Sequence, residues 1–152
     1  MKLSEDENTE FELEILGYQF PRLENEPYDS DWLNITIRVK HPRGSWTATD
    51  PSLLTYEVER LADWLEAIAD GQRVDSDTGF LEPNLNFELR ENDGTKKLRV
   101  YFELESRPSW AATDGAGMED LWVEFSVRPE ILRSAAKSLR SQLEKFPTRV
   151  GV

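Results

Sequence analysis

Apolar and polar residues alternate through the first third of the chain, and this alternation predicts β-strands. Phe11, Leu13 and Ile15 alternate with glutamates, and a second run of the same period occupies residues 33–40. A period of two places one set of side chains on a buried face and the other in solvent. A weaker third strand is predicted over residues 46–49, and it ends before Pro51.

The period then changes to that of a helix, and it does so twice. Residues 55–70 place an apolar stripe on one helical face, and Gly71 follows where a left-handed C-cap is favoured. A second helix is predicted to open at Pro129 and to end at Pro147. Its stripe consists of Leu132, Ala136, Leu139, Leu143 and Phe146.

Between the predicted helices the alternation resumes over about four strands. Phe80-Leu81 is a short apolar piece, residues 85–89 and 98–104 flank a tight turn at 92–94, and 121–127 is the last strand. The small residues of 111–117 predict a loop.

The order βββ-α-ββββ-α predicts an α+β fold. We expect a mainly antiparallel sheet of about six or seven strands, covered by two amphipathic helices in a single two-layer domain over residues 9–152. Residues 1–8 are polar and acidic, and we expect them to be a flexible acidic N-terminus.

The amino-acid composition limits the classes of function that the chain can have. The chain has 38% apolar residues, no cysteine and a net charge of −12. Without cysteine there is no disulfide framework and no thiolate zinc site, and without an apolar leader or a long apolar run we expect a cytoplasmic protein away from membranes. Strong acidity disfavours nucleic acid and favours a basic protein partner, although acidity also serves solubility alone.

The charge is unevenly distributed along the chain. Residues 1–31 hold ten acidic and two basic residues, whereas residues 128–152 hold six basic and two acidic ones. Two interpretations stand: an acidic surface that attracts a partner, or two chain ends that face each other in the fold.

No residue pattern in the sequence indicates catalysis, a cofactor or a metal. The single histidine, His41, lies between Lys40 and Pro42-Arg43, so we expect an exposed turn residue with disfavoured protonation. The run from Asp75 to Gly79 departs from the calcium-loop pattern. Carboxylate pairs are common, so a carboxylate-based hydrolase stays open as an alternative.

Tryptophans out of phase with the apolar rows indicate a binding surface. Trp32 and Trp122 fall on the polar faces of their predicted strands, whereas Trp64 falls on the helical stripe and is expected in the core. Acids beside exposed aromatic rings suit a basic partner. The predicted partner-binding residues are Asp29, Asp31, Trp32, Asp120, Trp122 and Glu124.

Two structural alternatives apply to these residues. The tryptophans could pack beneath a helix or a loop on the second face of the sheet. Asp29-Ser30-Asp31 suits turn capping better than weak cation binding, because short oxygen-bearing side chains bond readily to nearby backbone N–H groups.

Several segments in order resemble the WapI-type immunity proteins of bacteria and their uncharacterised relatives. The segments are Tyr28 to Ile35, Gly44-Ser45-Trp46, Glu57 to Leu65 and Phe80-Leu81-Glu82-Pro83-Asn84-Leu85. The resemblance extends over about residues 11–147. It implies a cytoplasmic antidote that binds and blocks the toxin domain of a contact-dependent effector. A self-associating accessory protein that forms a homodimer is a further alternative.

Overall fold

The computed structural model describes residues 1–111 and 120–151, and within them the chain forms two antiparallel sheets and two α-helices. The elements are β1 (Lys2–Asp6), β2 (Thr9–Tyr18), β3 (Trp32–Lys40), β4 (Trp46–Leu54), α1 (Thr55–Ala69), β5 (Asp77–Thr78), β6 (Leu85–Asn92), β7 (Thr95–Phe102), a 3₁₀ helix (Leu104–Ser106), β8 (Leu121–Ser126) and α2 (Pro129–Lys145). The first sheet has the order β1-β2-β3-β4 and the second β5-β6-β7-β8.

The α+β class, the antiparallel pairing and the two amphipathic helices are confirmed, but the single sheet is not. After α1 the chain begins a second sheet instead of extending the first. The rings of Phe87 and Phe102 lie 5.7 and 6.0 Å from the ring of Phe11, so the apolar faces of both sheets contribute to the same core. Period two identifies the buried face of each strand, and it carries no information on which strands share a sheet.

Two strand boundaries also differ from the prediction. β4 continues through Pro51 to Leu54, which is compatible with proline because β4 is the edge strand of its sheet and its register shifts beside Asn34. The short strand predicted at Phe80-Leu81 lies instead at Asp77–Thr78. Most of the predicted loop 111–117 is outside the described residues.

The expected flexible N-terminus instead contains the first strand. β1 pairs with β2, with Leu3 opposite Phe11, and Met1 and Leu3 are buried. The terminal ammonium of Met1 donates a hydrogen bond of 3.0 Å to the carbonyl oxygen of Leu13. Met1 and Leu3 are two residues apart and therefore share a face, and their burial explains why the acidic segment is held in place.

The helices pack against each other, and α2 also contacts β1. Beyond the N-terminal end of β1, the side chain of Gln142 in α2 forms hydrogen bonds with the backbone of β2. Its Oε1 accepts the N–H of Ile15 at 2.6 Å, and its Nε2 donates to the carbonyl of Leu13 at 3.4 Å. A cluster of buried apolar side chains joins both sheets and both helices. No helix in the described ranges is both long and apolar enough to cross a membrane.

Candidate partner-binding surface

The six predicted partner-binding residues fall into two separate groups. Asp29, Asp31 and Trp32 precede or begin β3, whereas Asp120, Trp122 and Glu124 line a depression together with His41, which follows β3. β3 spans nine residues, so at about 3.3 Å per residue its ends are roughly 26 Å apart. The structure therefore does not bring the six residues into one patch.

Asp31 is fully buried, with 0% of its surface exposed, so it offers nothing to a partner. Its carboxylate accepts the backbone N–H groups of Arg149, Val150 and Gly151 at 2.6, 3.2 and 2.7 Å. The interpretation of Asp31 as a surface residue is wrong. It tethers the C-terminal segment to the residues that enter β3.

The neighbouring Ser30 has the turn-capping role expected of this segment. Its Oγ accepts the N–H of Glu26 at 2.7 Å, and Ser30 is fully buried. Both polar residues of the pair Ser30-Asp31 are thus engaged with protein backbone, which favours the capping interpretation over cation binding.

Arg149 holds the loop between β2 and β3 from the other side. Its guanidinium donates to the carbonyl oxygens of Ser30, Pro21 and Phe20, the last two at 3.0 Å. The same group lies 3.7 Å from the ring centre of Tyr18. A planar guanidinium can donate in several directions while it stacks on an aromatic ring, so a single side chain joins both ends of the loop.

The group on β8 is occupied by contacts within the chain. The guanidinium of Arg99 lies 3.7 Å from the ring centre of Trp122, and its Nε is 2.6 Å from Oε2 of Glu124. Trp122 is partly buried under this cation. It is therefore packed within the chain, as the alternative for the outward tryptophans holds, although the group that packs on it is the side chain of Arg99 and not a helix or a loop. Asp120 is exposed at the border of this group.

His41 is partly buried, in contrast to the exposed turn residue that the sequence predicts. Its ring lies 5.9 Å from Trp110 and 6.2 Å from Trp46, and its Nδ1 accepts the N–H of Arg43 at 3.0 Å. Burial lowers the pKa of His41, and the charge of Arg43 lowers it further against an opposing hydrogen bond with the backbone of Trp122. Protonation is disfavoured, as expected, although desolvation is the main cause.

The basic C-terminal part of the chain faces acids of the rest of the fold. Arg128 lies 3.5 Å from Glu5, and Arg133 lies 3.0 Å from Asp70. Arg140 lies 2.7 Å from Asp63 and 2.9 Å from Glu66. The basic charge is therefore partly neutralised within the fold, but of these contacts only Arg128–Glu5 joins the acidic and basic ends of the chain, and the others neutralise acids of α1 and Asp70, which follows it.

The acids of the loop between β2 and β3 stay without such neutralisation. Glu24, Glu26 and Asp29 are exposed, and within residues 1–111 and 120–151 none of them has a cationic nitrogen within 4 Å. The loop also exposes large apolar side chains: Phe20 and Leu23 are 37% exposed and Tyr28 is 43% exposed. Sequence reasoning found Asp29 here and missed the apolar residues, because they belong to no periodic row.

The N-terminal end of α1 is bonded both to Asp31, where the loop between β2 and β3 ends, and to a second loop that exposes an apolar side chain. The N–H of Thr55 donates to the carbonyl of Asp31, and the buried carboxylate of Glu57 accepts the N–H groups of Leu54 and Leu81 at 3.0 and 2.8 Å. Leu81 is 61% exposed. We define the loop surface as Phe20, Leu23, Glu24, Glu26, Tyr28, Asp29 and Leu81.

A family model described as the immunity protein WapI-like family matches residues 2–147. The chain belongs to the WapI-like immunity protein family. No curated protein and no solved structure matches it.

In this WapI-like chain the segments that carry the family resemblance hold the fold together. Asp31 and Glu57 tie loops to the C-terminal segment and to α1, as described above. Asn84 is buried, and its carbonyl accepts the hydroxyl of Ser106, whose own carbonyl accepts the indole N–H of Trp46 at 2.8 Å. The side chains of Asp31, Glu57, Asn84 and Ser106 are buried and bonded within the chain, so they stabilise the fold and do not indicate a binding site.

One close carboxylate pair of the WapI-like chain bears on the hydrolase alternative. The side-chain amide of Asn84 donates to Asp50 at 3.2 Å and to Glu105 at 3.3 Å. Burial raises the pKa of Asp50, and the charge of Glu105 adds to the effect. The cavity beside Asp50 and Asn84 has a volume of about 10 Å³, which is room for a single water and not for a sugar or a phosphate ester.

Proposed function

We propose that this protein is an immunity protein of the bacterial cytoplasm that neutralises a contact-delivered toxin domain by binding it, without catalysis. Membership of the WapI-like immunity family supports the immunity role. The observation that carries the binding mode is the loop surface, where the fold holds the backbone in place. Large apolar side chains are exposed there, together with acids that have no cationic partner in the part of the chain that the structure describes.

The toxin domain is expected to be basic at its contact surface. The net charge of −12 repels nucleic acid and anionic lipid, and it accelerates encounter with a cationic protein. Of the sequence-predicted contacts, Asp29 is retained in this proposal because it is exposed on the loop surface. Trp122 and Glu124 are engaged by Arg99, and Asp31 is buried.

The test needs a toxin domain, which is to be sought first among the products of the genes that neighbour this one. We expect a complex of defined stoichiometry by size-exclusion chromatography with light scattering at low salt, together with protection of cells that express the toxin domain. Toxin separated from the complex under denaturing conditions and refolded should have an unchanged mass and full activity.

Two outcomes would contradict the proposal. The absence of a complex at low salt would remove the binding role. Persistent inactivation of the toxin by substoichiometric amounts of this protein, with a change in the mass of the toxin, would indicate an enzyme instead.

A further inference from the structure

We propose that the loop surface is the docking site of the toxin domain, and that it takes a lysine- or arginine-rich segment beside an apolar side chain. This inference rests on the proposed function and specifies where the contact is made. Its exposed apolar side chains are Phe20, Leu23, Tyr28 and Leu81, and its exposed acids, called the rim acids below, are Glu24, Glu26 and Asp29.

The backbone of Tyr28 is the first observation that bears on this surface. Tyr28 has φ of 64°, a left-handed conformation that is an outlier for a bulky side chain. Its carbonyl accepts the N–H groups of Asp31 and Trp32 at 2.8 and 3.1 Å. The fold thus maintains a strained residue while its ring stays 43% exposed, a combination typical of functional positions.

The second observation is that the loop is ordered before any partner arrives. Arg149 bonds to carbonyls at both ends of the loop, and Glu57 fixes Leu81 through its backbone N–H. A surface loop of this length ordinarily loses conformational freedom on binding, which weakens affinity. Here the fold has already ordered it, so apolar and charged contacts contribute to affinity with a smaller opposing entropy.

The charge of the loop surface indicates which kind of partner binds there. The other acid-rich surface of the N-terminal half, on the outer face of the first sheet, contains its own cations: Arg38 lies 3.1 Å from Glu14, and Lys2 lies 3.4 Å from Glu10. The rim acids of the loop surface have no such partner among the described residues. Exposed acids and exposed apolar side chains on the same loop are complementary to a partner surface that combines basic and apolar side chains.

A second copy of this chain is a poor occupant for the same reason. A two-fold contact would place the loop surface against itself, with Glu24, Glu26 and Asp29 of both copies in proximity. Like charges brought together at an interface oppose association. Self-association through this surface is therefore disfavoured, and a basic toxin domain is favoured.

The proposal is tested by the binding kinetics of charge-reversal variants. In Glu24→Lys/Glu26→Lys we expect the association rate constant for the toxin domain to fall at least tenfold and its salt dependence to flatten, because rim charges act mainly on encounter. The matched control is Glu7→Lys/Glu91→Lys, which changes the net charge equally at exposed positions in other turns and strands. The control should change the rate constant by less than about threefold.

The apolar part of the surface needs a separate variant. In Leu23→Ser/Tyr28→Asn we expect the dissociation rate constant to rise at least tenfold, since anchor residues act mainly on the bound state. Asparagine tolerates the left-handed backbone at position 28, so the loop keeps its conformation. Circular dichroism should show the same folded content as the wild type.

Three results distinguish the proposed docking site from the proposed function. If both variants bind the toxin domain as the wild type does, the loop surface is not the docking site, and the immunity function is unaffected. No wild-type binding would overturn the function as well. Hydrogen exchange of the wild-type complex gives an independent reading, because residues 19–31 should gain protection on binding, and protection confined to other segments would refute the proposed site.

Discussion

The side chain of Asp31 and the backbone of Arg149 meet across 118 residues of sequence, with the carboxylate 2.6 Å from the N–H of Arg149. The guanidinium of the same arginine lies on Tyr18 and donates to the carbonyl of Ser30, directly before Asp31. Each residue therefore holds the other in place. This reciprocal contact closes the C-terminal segment over the loop that carries most of the proposed docking site.

Replacement of Asp31 by alanine should destabilise the protein strongly. Three backbone N–H groups lose their acceptor in a partly buried position, and we expect the free energy of unfolding to fall by about 3 kcal/mol. Urea denaturation monitored by circular dichroism measures this loss. Asp29→Ala, at an exposed position two residues away, should change it by less than about 0.5 kcal/mol, and equal losses in both variants would contradict the tether.

Replacement of Arg149 by lysine should loosen the loop between β2 and β3 while preserving the charge. A single ammonium group cannot donate to three carbonyls and stack on Tyr18 at once. We expect amide hydrogen exchange of Leu23 and Ser30 to accelerate about tenfold. Arg133→Lys, which alters a contact with Asp70 at the end of α1, is the control. Unchanged hydrogen exchange of the loop in Arg149→Lys would refute the role of the Arg149 guanidinium.

Replacement of Glu57 by glutamine should loosen the segment that presents Leu81. The two carboxylate oxygens of Glu57 each accept one backbone N–H, from Leu54 and Leu81. Glutamine has one oxygen, so one donor is left facing an amide group, at a cost of about 2 kcal/mol. Thermal unfolding should shift down by about 5 °C, whereas Glu59→Gln, at an exposed position of the same helix, should leave the transition in place.

The raised pKa of Asp50 should be detectable in the pH dependence of the free energy of unfolding. Its pKa is raised by burial and by Glu105, so folding favours the protonated acid. The stabilising contribution is complete below the unfolded-state pKa of about 3.9 and is lost as the pH rises through the folded-state pKa. At pH 7 the ionised Asp50 therefore destabilises the fold.

Asp50→Asn keeps an acceptor for Asn84 and removes the charge. We expect its free energy of unfolding at pH 7 to exceed that of the wild type by less than about 1 kcal/mol, since solvent screens a partly buried carboxylate. The difference should disappear as the pH falls below about 4. Urea midpoints from pH 3 to 8 measure it, with Glu91→Gln as an exposed control, and a constant difference across that range would argue against the raised pKa.

Local periodicity predicted much of the fold from particular residues. Phe11, Leu13 and Ile15 are buried as their alternation indicates, and Trp64 lies in the core with its indole N–H bonded to the carbonyl of Asp75. These predictions succeed because burial along a strand or helix repeats with the backbone period. Periodicity does not predict the first strand, because its segment is mostly polar and acidic and has only two apolar residues on the buried face.

The candidate site was predictable only in part, for a reason visible in Asp29 and Asp31. Both are acids in the same short segment, yet one is exposed and the other fully buried. No local pattern distinguishes them, because what buries Asp31 is backbone 118 residues away.

The sequence by itself determined the class of fold, the buried face of most strands, both helices and the acidic character, since each depends on neighbouring residues or on composition. Only the tertiary structure decided that the strands form two sheets, that Arg99 covers Trp122, and that the C-terminal segment fixes the loop with Phe20 and Tyr28. The physical reason is that hydrogen bonds and ring contacts between distant segments depend on three-dimensional position, which periodicity along the chain does not specify.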